Sequence, residues 1–246
     1  MIGESMSMTD ARQPGDAQFR TTRWSLVQAA GDLERRDSHE ALSELCRGYW
    51  LPVYAYFRRR VGNAIDAQDL TQDFFTRLLD KDYIADARQE KGRFRTFFLT
   101  AAQRFMRNEW AKANAIKRGG GKTVLSLDFD AGESFYAMEP ADTDTPELLF
   151  ERQWAIKLLE VVHERLRQEY ATKLKLYEQL KPLLVGSGPG YRDVAKRLGM
   201  TEGAVKTAVY RMRTRYAQLL RSEIGETVRS PDDVDDEVAH LFDALS

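Results

Sequence analysis

The segment from Tyr191 to Tyr216 constrains the fold more than any other part of the sequence. It reads YRDVAKRLGMTEGAVKTAVYRMRTRY. Gly199 suits a tight turn because glycine adopts the left-handed backbone conformation at little cost, and the small side chain of Ala195 lets a second helix come close. Thr201 is a typical N-cap residue for that second helix. The segment therefore predicts two helices joined by a short turn, as in a helix-turn-helix.

The second of these helices is predicted to have two different faces. One face is an apolar stripe with helical spacing, formed by Val205, Val209, Met212 and Tyr216. The opposite face is cationic and able to form hydrogen bonds; it carries Lys206, Thr207, Tyr210 and Arg211, with Arg213 on the flank. Such a face fits the major groove of DNA, where basic side chains reach phosphates and base acceptors. The alternative is a solvated helix whose basic residues serve solubility.

Charge is unevenly distributed along a chain that is almost neutral. The 246 residues include 37 Lys and Arg against 38 Asp and Glu. Basic residues dominate from Asp86 to Lys122, whereas residues 123–150 contain none and residues 222–246 contain only Arg229. Segregation on this scale indicates separate roles for separate segments. Attraction to DNA is therefore expected to be local.

The remaining pattern predicts helices and no strands. Helical periodicity covers about 64–79, 94–115 and 170–184, and Thr145 followed by Pro146 predicts the start of another helix. We therefore expect an all-α protein with two small helical domains joined by an acidic linker, the second domain containing the helix-turn-helix. The expected segments are a disordered N-terminal tail (1–20), a first helical domain (21–117), a flexible acidic linker (118–145), a second helical domain (146–224) and an acidic C-terminal tail (225–246).

A polar helical face in the first domain is a candidate docking surface. Asp69, Gln72 and Asp73 share this face. An apolar edge adjoins them, while Leu70, Phe74 and Phe75 point elsewhere. Carboxylates and an amide beside an apolar edge suit contact with another protein. The alternative is an ordinary solvated face.

The following helix mixes basic and aromatic residues, a combination that suits single-stranded DNA through phosphate contact and base stacking. Its candidate DNA-binding residues are Arg93, Arg95, Phe97, Arg104 and Arg107. Two other aromatics of this helix, Phe98 and Phe105, are expected to lie in the core. The loop from Tyr83 to Arg93 is predicted to form a pocket for a base swung out of the duplex.

Three motifs resemble those of RNA polymerase sigma factors of the extracytoplasmic-function type. The family pattern Ala-x-x-Leu-Gly-x-Ser-x-Gly-Thr-Val-Lys is similar to residues 195–206, AKRLGMTEGAVK. In the first domain, residues 69–75, DLTQDFF, resemble the family's core-binding Asp-x-x-Gln-Glu-x-Phe. Residues 94–99, FRTFFL, resemble its Phe-x-Thr-Trp-Leu, with Phe97 where the family usually has Trp. These similarities cover roughly residues 38–117 and 147–222.

The resemblance implies an alternative sigma factor without cofactor or metal, whose partners are promoter DNA and the β′ and β subunits of core RNA polymerase. The resemblance is also compatible with regulation by an anti-sigma factor or another regulator. Asp69, Gln72, Asp73 and Phe75 are then core-binding residues. The basic and aromatic residues of 93–107 melt and read the −10 element, and the polar face of 206–213 reads the −35 element.

Two other classes of protein compete with this interpretation. Asp66, Asp69 and Asp73 are candidate metal ligands of a nuclease, but the three histidines are scattered and no catalytic motif is present. An enzyme is therefore not expected. The closer alternative is a helix-turn-helix regulator that acts without polymerase docking.

The sequence also predicts a compartment. Cys46 is the single cysteine, so no internal disulfide can form. The first residues lack an apolar signal region and no stretch is long and apolar enough for membrane insertion. We therefore expect a cytoplasmic protein.

Overall fold

Every regular element in the described part of the chain is a helix. The structure is a computed structural model that describes residues 38–80, 93–113, 127–137, 144–186 and 188–246. The α-helices are α1 (Ser38–Val61), α2 (Ala64–Asp80), α3 (Phe94–Ala113), α4 (Phe129–Ala137), α5 (Pro146–Glu169), α6 (Leu174–Leu184), α7 (Tyr191–Leu198), α8 (Glu202–Gly225) and α9 (Val234–Asp243). Two short 3-10 helices span Ala171–Lys173 and Pro231–Asp233. The all-α prediction is confirmed.

Some sequence predictions fall outside these residues. The tail at 1–20 and residues 83–92 of the predicted base pocket lie outside the described ranges. None of the helices that the structure describes is long and apolar enough to cross a membrane.

An aromatic core holds α2 and α3 against α1. The ring of Phe98 stacks on Tyr49 with 4.4 Å between centroids, and Phe105 meets Phe74 edge-on at 5.6 Å. Such pairs add about 0.5–1.5 kcal/mol beyond simple burial. The prediction that Phe98 and Phe105 lie in the core is confirmed, since they are 0% and 7% exposed.

The segment predicted to be a linker contains helix α4, which packs on α1. Gly132 permits this approach: a Cβ at that position would come within 3.1 Å of the rings of both Trp50 and Tyr54. The next residue, Glu133, accepts hydrogen bonds from the Tyr54 hydroxyl and from Arg58 Nε, the latter at 2.8 Å. The middle of the acidic segment is therefore a docked helix.

Helix α5 connects the two halves of the protein. Its start is as predicted, with Pro146 in the first turn and Thr145 Oγ1 accepting a hydrogen bond from the Leu148 N–H at 3.2 Å. Along its length α5 packs against both α1 and α8. One hydrophobic cluster consequently runs from Leu45 in α1 to Ala244 beyond α9. The boundaries of two separate domains remain a prediction.

A tight turn joins α7 to α8. Gly199 has φ 65° and ψ 33°, and its N–H donates to carbonyls of the last turn of α7. Thr201 caps α8 by accepting a hydrogen bond from the Ala204 N–H at 3.2 Å. Val205 and Met212 on the predicted stripe are fully buried. The predicted turn glycine, helix cap and buried stripe are confirmed.

The two glycines of this region should respond oppositely to alanine. Gly199→Ala should lower the free energy of unfolding by about 1–2 kcal/mol, because the left-handed conformation is unfavourable for residues with a Cβ. Gly203→Ala lies in an ordinary helical turn of α8 and should raise stability by about 0.4–1 kcal/mol. Neither Cβ would meet another atom within 4 Å, so the contrast isolates the backbone. Denaturant unfolding checks both; equal effects would contradict this explanation.

The C-terminal segment, expected to be an acidic tail, is folded onto the body of the protein. Residues Val234–Asp243 form α9, which contacts α8 and α5. Val234, Leu241 and Ala244 are buried in the common hydrophobic cluster. This arrangement brings acidic side chains of the segment to the first half of the chain.

Candidate functional site

The docking face on α2 is partly exposed to solvent. Asp69 is exposed, whereas Gln72 and Asp73 are half-buried. Their spacing of three and four residues places all three on one side of the helix. Phe75 requires a correction: it was predicted to contact core polymerase, but it is 0% exposed and lies in the aromatic core. Its position supports the helix from beneath the docking face.

The outer part of α3 presents two of the predicted basic residues to solvent. Arg104 and Arg107 are exposed, one turn apart. Phe97 is half-buried and stacks on Phe94 with 5.7 Å between centroids. Trp110, which sequence reasoning did not include among the DNA-binding residues, is 50% exposed near the end of the helix. An exposed basic and aromatic surface therefore remains on the second half of α3.

Arg93 and Arg95, at the start of α3, are bound to acidic residues of the second half of the chain. Arg95 is only 5% exposed, which corrects the expectation of a side chain open to DNA. Glu237 of α9 accepts from Arg95 Nε at 2.7 Å and from Arg95 Nη2 at 3.1 Å. The same carboxylate lies 2.8 Å from Arg93 Nε. In this conformation Arg95 is buried, and the Glu237 carboxylate engages both arginines.

Helix α5 closes around Arg95 from another side. Glu151 forms a short hydrogen bond with Arg95 Nη1, and the guanidinium lies 4.9 Å from the centre of a Trp154 ring. His240 of α9 lies within 3.3 Å of the same Glu151 carboxylate. We call Arg93, Arg95, Glu151, Trp154 and Glu237 the Arg95 cluster. It joins α3, α5 and α9.

The electrostatics of the cluster keep Arg95 charged. Burial acts to lower the pKa of the guanidinium. The hydrogen bond that Arg95 donates to Glu237 and the negative charge of Glu151 outweigh burial, so the pKa of Arg95 is raised above its ordinary value. Two carboxylates therefore balance the buried positive charge.

Sequence reasoning missed Glu151 and Glu237. The second residue carried a signal: Val234, Val238, Leu241 and Leu245 recur with helical spacing, which predicts an amphipathic helix with a buried side. Glu237 lies three residues after Val234 and is therefore close to that buried side. No comparable local pattern indicates that Glu151 faces an arginine.

The outer face of α8 is largely exposed. It comprises Lys206, Thr207, Tyr210 and Arg211, all accessible, with Tyr210 72% exposed. Lys206 forms a surface ion pair with Glu202 at 2.8 Å, and the Thr207 hydroxyl donates to the Gly203 carbonyl at 3.0 Å. The face is thus a continuous polar surface near the start of α8.

The next two arginines of α8 serve contacts within the fold. Arg213 Nη2 donates to the Leu183 carbonyl at 2.5 Å, which ties α8 to the end of α6. Arg215 Nε lies 2.8 Å and 3.0 Å from the two carboxylate oxygens of Glu169. The predicted DNA contact of Arg213 therefore competes with a hydrogen bond inside the protein.

One part of the chain is similar to a known family. Residues 47–116 match the family model described as Sigma-70 region 2. The chain has no match among curated proteins or among solved structures. The matched range contains the docking face and the predicted basic and aromatic residues of α3, and α8 lies outside it. Sigma-70 region 2 binds RNA polymerase core and the −10 promoter element. The similarity of residues 47–116, less than a third of the chain, to Sigma-70 region 2 supports a role as an RNA polymerase sigma factor.

Proposed function

We propose that the protein is an alternative sigma factor of the extracytoplasmic-function type that directs core RNA polymerase to a specific set of promoters. The observation that carries this proposal is the region 2 match, which spans the docking face and the basic and aromatic surface together. The exposed outer face of α8 supplies a second DNA-binding candidate outside the matched range. Residues 146–224 then act as the region that reads the −35 element.

Each surface has a physical role in this proposal. Asp69, Gln72 and Asp73 offer acceptors and an amide to basic and polar groups of the polymerase β′ subunit. Arg104 and Arg107 attract the phosphates of an opened strand, and the ring of Phe97 offers a stacking surface for a base. Arg93 and Arg95 extend this surface when they are released from Glu237.

The direct test is run-off transcription with purified core polymerase and a library of promoter sequences. Addition of the protein should produce transcripts from a subset of templates, all sharing a −35 and a −10 element. A helix-turn-helix regulator without polymerase docking would bind DNA and yet start no transcription with core enzyme alone. That outcome would replace the proposal with the regulator.

Removing the exposed arginines of α3 should impair melting more than binding. Arg104→Ala combined with Arg107→Ala should reduce open complexes about tenfold, because two phosphate contacts to the opened strand are lost. Permanganate reactivity of promoter thymines measures opening, and a mobility shift in the cold measures closed complexes. The control is Lys173→Ala with Lys175→Ala, which removes the same charge from exposed positions outside α3. Equal loss of both complexes would indicate plain electrostatic anchoring.

The outer face of α8 should read bases through Arg211. The N-terminal part of the second helix of a helix-turn-helix enters the groove, and a guanidinium can bond two acceptors of guanine at once. Arg211→Ala should therefore cost about 1–3 kcal/mol on the preferred site and relax selectivity there. Binding isotherms on matched and mismatched upstream elements measure this. Arg215→Ala is the control, because Arg215 pairs with Glu169 within the fold. This control should change the affinity for the matched and the mismatched element by the same factor. A uniform loss of affinity for Arg211→Ala would refute base reading.

A further inference from the structure

The carboxylate of Glu237 occupies the two arginines that the proposed function assigns to DNA. Its oxygens accept from Nε and Nη2 of Arg95 at 2.7 Å and 3.1 Å, a two-pronged arrangement, and lie 2.8 Å from Arg93 Nε. Arginine binds carboxylate and phosphate with the same fork of donors. The Glu237 carboxylate is therefore bonded to the same guanidinium groups that a DNA phosphate would use.

The fold delivers this carboxylate over a long distance in sequence. Arg95 and Glu237 are 142 residues apart. Glu237 is held by α9, whose Val234 and Leu241 are buried in the hydrophobic cluster, and its own side chain is only 1% exposed. Helix α9 thus acts as a folded clasp across the start of α3.

Release of the clasp exchanges ion pairs, and it also uncovers the apolar side chains of Val234 and Leu241. A buried ion pair gains little net stability, because the cost of removing both charges from water offsets their attraction. Exchange of Glu237 for DNA phosphates keeps the arginines paired, so release need not leave a buried charge uncompensated. The remaining contacts of α9 with solvent-side partners are weak, such as the exposed pair of Arg221 with Asp235.

We propose that α9 is an autoinhibitory element: Glu237 competes with promoter DNA for Arg93 and Arg95, and α9 leaves α3 when the opened strand binds in a polymerase complex. This inference rests on the proposed function, since it concerns regulation of the same DNA-binding surface. Until α9 leaves, the outer face of α8 is accessible, whereas Arg93 and Arg95 are engaged by Glu237.

The first test uses Glu237→Gln in the full-length protein, with Asp236→Asn as matched control. Both variants remove one negative charge from neighbouring positions of α9, but Asp236 is exposed. Binding of a labelled single-stranded DNA of random sequence is measured by anisotropy over a range of salt concentrations. For Glu237→Gln we expect about tenfold tighter binding and a salt slope steeper by about 1.4, since each phosphate neutralised on a single strand contributes about 0.7. Asp236→Asn should bind like the wild type, apart from the small effect of one distant charge.

Equal binding by the two variants would overturn the inference, because a purely structural Glu237 does not compete with DNA. Circular dichroism establishes that each variant is folded. Should Glu237→Gln fail to fold, hydrogen exchange of the wild-type protein decides. Amides of α9 should lose protection when core polymerase and an opened promoter are added; retained protection in that complex would overturn the proposal.

Run-off transcription by the wild type separates the two proposals. If the wild type yields transcripts with core polymerase but Glu237→Gln binds DNA no more tightly than the wild type, the sigma factor function is retained and the autoinhibition proposal is refuted. Absence of transcripts from the whole promoter library would instead contradict the proposed function itself.

Discussion

Reversing the charges of Asp69 and Asp73 should abolish stable binding to core RNA polymerase. The variant Asp69→Arg with Asp73→Arg places two cations where the proposed interface needs acceptors, and like charges across an interface cost several kcal/mol. We expect the dissociation constant to rise by at least about a hundredfold. Pull-down and anisotropy titration with purified core polymerase measure this change.

Two controls make the result specific to the docking face. Asp232→Arg with Asp243→Arg causes the same change of net charge at exposed positions of the C-terminal segment. This control should retain core binding. Circular dichroism should show native helix content for both double variants. Undiminished binding by the docking-face variant would show that α2 does not contact the polymerase in the way proposed.

Truncation of Phe98 should cause a large loss of stability. The side chain is 0% exposed, stacks on Tyr49 and lies 5.1 Å from the Phe94 ring centre. Removing a buried phenylalanine ring leaves a cavity and typically costs about 3–5 kcal/mol. For a chain of this size that corresponds to a drop in Tm of roughly 6–20 °C. Thermal and denaturant unfolding, followed by circular dichroism, measure both quantities.

The neighbouring Thr96 supplies the control for this experiment. It is exposed on the same turn of α3, so Thr96→Ala should change stability by no more than about 0.5 kcal/mol. A similarly small effect of Phe98→Ala would mean that the aromatic core does not hold α3 on α1. The Arg104 and Arg107 surface would then lack the rigid support that the proposed melting role needs.

The local features of this protein could be predicted because they depend on residues close together in the chain. The caps at Thr145 and Thr201 use hydrogen bonds to N–H groups three residues ahead. The left-handed turn at Gly199 depends on the absence of one Cβ. Periodicity likewise placed Phe98 and Phe105 in the core, because a helix turns its apolar positions to one side.

The partners of the charged residues depended on the tertiary structure. Periodicity indicates which side of a helix is polar, but it does not say which distant segment will meet that side. Arg95 looked like a DNA ligand in the sequence, and only the fold brings Glu151 and Glu237 to it. Phe75 belonged to a family motif for core binding, yet packing around α1 buries it completely.

The acidic segments show the same division between sequence and fold. Their composition identified them as distinct from the basic helices, because charge is visible residue by residue. Two arrangements required contacts between distant parts of the chain. Glu133 docks α4 on α1 by binding Arg58 across 75 residues, and Glu237 of α9 binds Arg95 at the start of α3 across 142 residues. The sequence by itself determined most of the helices and their faces, whereas α4 and α9 form in segments predicted to be a linker and a tail. The tertiary structure alone decided which faces meet, because burial of a charge depends on a partner that only folding supplies.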